Sequence, residues 1–263
     1  MQIDFRSMMG VPSEESEHDF QSFPLLPNYY PMEDVYPLRP YPDDGVFNVA
    51  CFGATRPMKN VLSQAAAAIA YADLNFLHLR FHVTAGRIEL YGQSVWKNLV
   101  AMFNSLYPRH ELVIHHWSGR EEFLALCRQM DISLQVSFTE SFNLVTADAL
   151  TSGTPVLTSS EVPFLYPVFA DPTSVEDIVN QMDFVMANRV ELQKAHLQFL
   201  ETYNNESRTL WNLFFADYKL TDDEHDEHAR NLMPPSSWTW PFYRFCIAWK
   251  TIVSTLVNFG KQA

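Results

Sequence analysis

VFNVACFGATRPMKN, residues 46–60, decides the fold. Its first half, 46–53, is a short apolar run that stops at Gly53, the pattern of a strand buried on both faces of a parallel sheet. A helix-forming stretch follows over Met58–Asp73, with Ala65–Ala68 inside it, and alanine is the strongest helix former. The same alternation continues outward. LHLRFHVTA (77–85) and RIELYG (87–92) read as a second strand region with a turn at Gly86, and Val95–Leu106 as a helix. ELVIHHW (111–117) is a strand, Arg120–Gln129 a helix, ISLQVSF (132–138) a strand and Phe142–Thr151 a helix. TPVLTS (154–159) is a strand, and Ser174–Asn188 is a helix capped by Thr173 or Ser174 with Asp177 in its first turn. Repeated β–α–β units of this length predict an α/β fold, a Rossmann-like parallel sheet with helices on both faces, over 46–190.

The flanks read differently. Seven of the 16 prolines fall in residues 1–45, and proline removes amide donors and restricts the residue before it. That segment is expected to be an extended, turn-rich arm that cannot fold as a domain by itself. Residues 191–263 form a helical extension. Glu191–Tyr218 reads as one long helix or two, and TDDEHDEH (221–228) as a charged linker. Phe242, Phe245, Trp249, Ile252, Leu256 and Phe259 then recur every three or four residues, an amphipathic helix with an aromatic stripe. Such a stripe suits core packing against the sheet domain, or a docking face for a second domain or chain. A membrane-surface role fits less well, because the polar face carries few Lys or Arg.

Composition narrows the function classes. At 263 residues the chain can bury a sizeable core without disulfides or metals. Acidic residues outnumber basic ones 31 to 18, for a net charge of −13, which disfavours non-specific nucleic-acid binding but not a local basic pocket for one anion. Three scattered cysteines (Cys51, Cys127, Cys246), each among apolar neighbours, read as buried free thiols of a reducing compartment. The opening residues carry no basic-then-apolar leader pattern. The nearest candidate for a membrane span, Pro241–Phe259, is interrupted by Arg244 and Lys250. The expectation is a cytoplasmic protein with no transmembrane segment and no nucleic-acid partner. The dispersed methionines read as core filler, and His225 and His228 as part of a solvated acidic loop.

Neither G-x-G-x-x-G nor G-x-x-x-x-G-K-[ST] occurs, which disfavours nicotinamide Rossmann enzymes and P-loop NTPases. D-x-D and H-E-x-x-H are absent as well. Two segments do carry chemistry. FGATRPMKN (52–60) sets Gly53 at a strand end and then Arg56 and Lys59 at the mouth of a helix. Two cations and a helix N-terminus suit a diphosphate, although such a pair also occurs on solvated helix starts. SFTESFNLVTADALTSGTPV (137–156) delivers Glu140 to the same sheet edge, with Ser141, Phe142 and Asn143 opening a helix. Asp148 lies eight residues further on, two helical turns, so that both carboxylates could face one crevice and hold sugar hydroxyls. Glu140 as a capping acid and Asp148 on a solvated face is the plainer alternative.

In order and at the right strand ends, these two segments resemble the C-terminal half of GT-B-fold glycosyltransferases, the retaining group often called family 4. The likeness spans roughly residues 27–188 and includes the E-x7-E motif, here Glu140 to Asp148 with a shorter second acid. The resemblance implies that Arg56 and Lys59 bind the donor diphosphate and stabilise its departing charge, and that Glu140 holds the donor sugar. It implies donor contacts from Gly53, Ser141, Phe142, Asn143 and Leu144, and a grip on the ribose by Asp148. His116–Gly119 would border the base, with Trp117 stacking there or standing as a plain rim residue. A nucleoside-diphosphate sugar is then the donor substrate, with no cofactor and no metal expected. GT-B enzymes have two Rossmann-like halves, and the 45 residues before the first strand are too few for the other one. FPLLPNYYP (23–31) resembles the linker into the second half. Three readings follow: a transferase that needs a partner chain for its acceptor half, a non-catalytic nucleotide-sugar-binding or interaction module, or a fragment of a longer enzyme.

Overall fold

The computed structural model describes residues 26–217 apart from positions 33, 42–43, 85–86 and 166–167, with side chains to Asn212. The sequence expectations for the first 25 residues, the charged linker, the aromatic stripe and Cys246 lie outside the described residues. The chain divides into a unit of residues 1–211 and a second unit of 212–263.

Five strands form one parallel sheet: β1 (Val46–Cys51), β2 (His78–Thr84), β3 (Glu111–His115), β4 (Ile132–Gln135) and β5 (Val156–Thr158). Their order is β3-β2-β1-β4-β5. The chain therefore runs outward from β1 in one direction, returns over it, and runs outward in the other. Val46 pairs with His78 on one side of β1 and Val49 with Ile132 on the other, so the topological switch lies between β1 and β4.

The helices between strands are α1 (Val61–Leu74), α2 (Gly92–Leu106), α3 (Arg120–Cys127) and α4 (Leu144–Thr151). They are followed by α5 (Val175–Ala187) and α6 (Arg189–Asp217). Strand alternation assigns Phe47, Val49 and Cys51 with Leu79, Phe81 and Val83 to one sheet face. There they meet Ala65, Ala68 and Ala72 of α1, whose small side chains let that helix lie close to the sheet, together with Leu99 of α2 and Ile178 of α5. Ala50 and Phe52 point the other way, onto Cys127 and Met130. A third cluster joins Phe142, Leu150 and Phe164 to Tyr30 of the arm and Leu200 of α6. Cys51 and Cys127 are free and buried, and burial pushes the Cys51 thiol up to about 12.

The described part of the arm is a strap. Its Tyr36 amide donates to the Thr151 carbonyl at 2.7 Å and its Arg39 amide to the Gly153 carbonyl at 3.1 Å. Asn204 of α6 brackets Tyr30, accepting from its amide at 3.0 Å and donating to its carbonyl at 2.7 Å. Trp211 donates its indole N–H to the Pro27 carbonyl at 2.9 Å. The proline-rich segment thus finds hydrogen-bond partners on α4, on the turn after it and on α6.

Two local readings change, and two open alternatives are resolved. Residues 87–92 are not a strand: one isolated bridge joins Thr55 to Ile88, and Leu90 and Tyr91 take left-handed φ values of 45° and 69°. The helix expected from Met58 is a short 3-10 turn (Pro57–Lys59), broken by left-handed Asn60 before α1 starts. Glu191–Tyr218 is one continuous helix through Asp217. The cap expected for α5 is Ser174, whose hydroxyl accepts from the Asp177 amide at 3.1 Å.

Candidate functional site

At the C-terminal edge of the sheet, β1 turns through Gly53, whose φ of +112° a side-chain-bearing residue rarely adopts. Thr84 of β2 secures the turn, its hydroxyl accepting from the Gly53 amide at 3.0 Å and donating to the Gly53 carbonyl at 2.9 Å. Thr55 is then held between the Arg87 carbonyl and the Glu89 amide. Arg56 follows in extended conformation, and the turn that carries Lys59 begins.

That turn is stitched to the loop after β4. Asn60 donates through Nδ2 to the carbonyls of Val136 (3.1 Å) and Pro172 (2.8 Å). Gln64 donates to the Lys59 carbonyl at 2.7 Å and accepts from the Val136 amide at 2.9 Å, while the Phe138 amide donates to Met58. With both loops fixed, the Lys59 ammonium forms an ion pair with Glu140 Oε1. The two side chains are only 12% and 5% exposed. Lys59 and Glu140, singled out in different segments of sequence, therefore meet across the β1/β4 switch point, where open α/β sheets bind ligands. The Arg56 Nε is buried there without a hydrogen-bond partner in the described structure.

The loop 136–143 reaches α4 through Asn143, which is left-handed at φ 60°. Asn143 Oδ1 accepts from the Thr146 amide at 3.1 Å, and its Nδ2 donates to Gln135 Oε1 at 3.0 Å. Gln135 in turn donates to the Phe52 carbonyl at 2.9 Å, which ties this loop to that of β1 a second time. The helix starts at Leu144 and not at Phe142, so Glu140 stands on the loop, and helical geometry does not relate it to Asp148. Phe142 turns inward, its ring 4.7 Å from Phe164 and 5.7 Å from Tyr203, so its side chain is committed to packing. Ser141 and Leu144 are exposed.

Asp148 is buried on α4, and its carboxylate is engaged within the chain. Oδ1 accepts from the Tyr30 hydroxyl at 2.7 Å and from Arg120 Nη1 at 2.8 Å, and Arg120 Nη2 donates to the Tyr30 oxygen at 3.0 Å. Burial, more than the Asp148 charge, pushes the Tyr30 phenol up to about 12, so it remains a donor. Neither Tyr30 nor Arg120 was expected here. Arg120 had one sequence signal: it stands in the first turn of a helix, where the dipole disfavours a cation, beside the well-placed acids Glu121 and Glu122.

Trp117 is 66% exposed, with the Arg87 guanidinium 5.5 Å from its ring. His116 is exposed, whereas His115 stacks on His82. A part-buried polar row runs on from that pair across the strands: His82 bonds His115 at 2.8 Å and Asn48 Oδ1 at 3.1 Å, and Asn48 donates its amide to Asp131 at 2.7 Å. Burial, then the neighbouring His115, pulls His82 down to about 3, so the row is neutral at its histidine end. Among the described residues no group of three or more His, Cys, Asp or Glu could hold a metal ion, and no helix is long and apolar enough to cross a membrane.

No protein-family model and no curated protein matches the chain. Solved structures do. A UDP-forming α,α-trehalose-phosphate synthase from Burkholderia xenovorans is 12% identical with a TM-score of 0.56, over 67% of this chain and 45% of that one. A trehalose-6-phosphate synthase analysed for glycosyl transfer with retention is 14% identical (TM-score 0.54, 67% and 46%). The E. coli trehalose-6-phosphate structure bound with UDP-2-fluoro glucose is also 14% identical (TM-score 0.55, 67% and 45%). The chain thus spans less than half the length of these structures. At such identities the likeness is one of fold: the five-stranded parallel sheet with its helices is Rossmann-like, as in the matched part of these structures.

Proposed function

We propose that the chain binds a nucleoside-diphosphate sugar and serves as the donor half of a glycosyltransferase, with a partner supplying the acceptor half. The observation that carries this reading is the meeting of Lys59 and Glu140 at the β1/β4 switch point beside the unpartnered Arg56 Nε. Arg56 and Lys59 bind the diphosphate and stabilise the charge that develops on it as the sugar leaves. Glu140 orients the sugar hydroxyls. The backbone around Gly53 and Ser141 to Leu144 lines the donor, with the first turn of α4 adding its free amides. Trp117 borders the base. The neighbours suggest UDP as the nucleotide and retention of configuration as the outcome. Since no metal is invoked, the two cations carry the whole phosphate charge. We place the protein in the cytoplasm, in keeping with the buried free thiols of Cys51 and Cys127 among the described residues.

A specific observation favours a second reading, a non-catalytic binding module. Both signature carboxylates are already satisfied inside the chain, Glu140 by Lys59 and Asp148 by Arg120 and Tyr30. A crevice that neutralises itself needs no ligand to be stable.

Calorimetric titration of the purified chain with UDP, GDP and ADP and their hexose conjugates separates these readings. UDP binding that Arg56→Ala/Lys59→Ala abolishes supports the donor site, and slow hydrolysis of the UDP-sugar adds catalysis. Absence of binding at millimolar nucleotide removes the donor reading and leaves the module.

A further inference from the structure

Asp148 would hold the ribose hydroxyls if this site followed the glycosyltransferase pattern, but its surroundings give the carboxylate another task. We propose, on the footing of the donor-site reading, that Arg120 is the group that meets the nucleoside, donating to a carbonyl oxygen of its base, with Asp148 and Tyr30 as positioning residues. A carboxylate that grips a diol must present acceptor oxygens to the crevice. The Asp148 side chain is 9% exposed, and its Oδ1 is already taken by two donors. It is also one methylene shorter than a glutamate. Arg120 has the opposite character: its side chain is 54% exposed while its guanidinium is held at two nitrogens, one by Asp148 and one by Tyr30.

The support beneath that guanidinium is rigid. Its central carbon lies 5.5 Å from the centre of the Tyr30 ring. Tyr30 is 2% exposed and fixed at both backbone atoms by Asn204, and its hydroxyl also bonds Thr151 at 3.1 Å. The rotamer freedom that a long cation loses on binding has therefore been lost in the fold, which favours affinity. The position is one that helix stability does not explain: a cation in the first turn of α3 opposes the helix dipole. It is the first residue of the helix after β3, three residues beyond Trp117, on the strand-end side of the sheet that carries Gly53 and Glu140. A guanidinium donates and cannot accept, so its match is a carbonyl oxygen and not a pair of hydroxyls that also need acceptors.

The test is calorimetry on the full chain with UDP, 2′-deoxy-UDP and inorganic pyrophosphate. The wild-type chain is expected to bind UDP and 2′-deoxy-UDP within about twofold of each other. Arg120→Ala is expected to weaken UDP about tenfold while keeping pyrophosphate, which a general disturbance of the fold would not do. Asp148→Asn is expected to weaken UDP by a smaller factor, since Tyr30 still holds Arg120. The assignment is overturned if Arg120→Ala leaves UDP unchanged or weakens both ligands alike. It is equally overturned if the wild type prefers UDP over the deoxy form and Asp148→Asn erases the preference. Failure of the donor site looks different: UDP and pyrophosphate both fail to bind, or bind equally well to Arg56→Ala/Lys59→Ala, and the role of Arg120 then falls with that site.

Discussion

Lys59 and Glu140 stand 81 residues apart in the chain and form an ion pair in which neither side chain is more than 12% exposed. Pairs this dry are held by mutual compensation: removing one partner strands a desolvated charge, whereas removing both leaves only a change of packing. Lys59→Met and Glu140→Gln are each expected to cost about 3 kcal/mol in urea unfolding, and the double variant clearly less than the sum. Additive losses would mean that the pair is solvated and that the two loops are held by their backbone stitching alone.

Two of the buried imidazoles, those of His82 and His196, set a pH dependence. Burial lowers His82 to about 3 and His196 to about 4, both below the ordinary value near 6.5. In each case the unfolded chain binds the proton more readily than the folded one, so stability is complete above about pH 6.5 and declines as the pH falls toward those values. By pH 5 the loss is about 2 kcal/mol for each histidine. Asp131 works in the opposite direction, since burial raises its carboxyl. Unfolding free energies measured between pH 7 and pH 5 should fall, and His82→Gln should flatten the decline. An unchanged slope in that variant would locate the titration elsewhere.

Much of this was legible because the informative residues sit where strands end. Gly53, Arg56, Lys59 and Glu140 each follow an apolar run within a few positions, and a parallel sheet brings such positions to one edge. The missed features depend on distance or on local backbone. Tyr30 and Asp148 are 118 residues apart, and nothing in a proline-rich arm says which helix it will cross. Residues 87–92 have strand composition, yet Leu90 and Tyr91 are left-handed, and Gly92 lies so close to Thr55 that a Cβ would fall 2.0 Å from its carbonyl oxygen. Helix α4 starts late: Phe142 is turned onto Phe164, and left-handed Asn143 serves as the cap.

The strap offers a sharp steric test. Gly153 has φ +79°, and a Cβ there would lie 2.1 Å from the Pro37 carbonyl oxygen. Because the obstacle is backbone, Gly153→Ala must displace the strap or strain the turn, at a cost of about 2–4 kcal/mol. Gly119→Ala, where a Cβ meets nothing within 4 Å, serves as the control and should stay within about 0.5 kcal/mol of wild type. Limited proteolysis should cut residues 26–41 faster in the first variant only. Equal resistance in both would show that the strap is not held at Gly153.

Asn143 combines three duties that substitution can separate. Its left-handed φ favours Asn or Gly, its Oδ1 caps α4, and its Nδ2 satisfies the buried Gln135. Asn143→Gly keeps the backbone and loses both side-chain bonds. Asn143→Asp keeps the cap but turns an acceptor toward the Gln135 oxygen, and Asn143→Ala loses all three. Since a lost cap costs about 1 kcal/mol and an unsatisfied buried oxygen about 1–3 kcal/mol, Asn143→Ala should be the least stable, by about 3 kcal/mol in urea unfolding. The Gln135 link also joins the β4 loop to the Phe52 carbonyl beside Gly53. If the proposed donor site holds, nucleotide affinity should also fall in Asn143→Asp although its helix cap is kept, because the two loops that carry Lys59 and Glu140 lose a shared anchor. Unchanged affinity in that variant would mean that the Asn60 and Gln64 contacts suffice to hold the crevice.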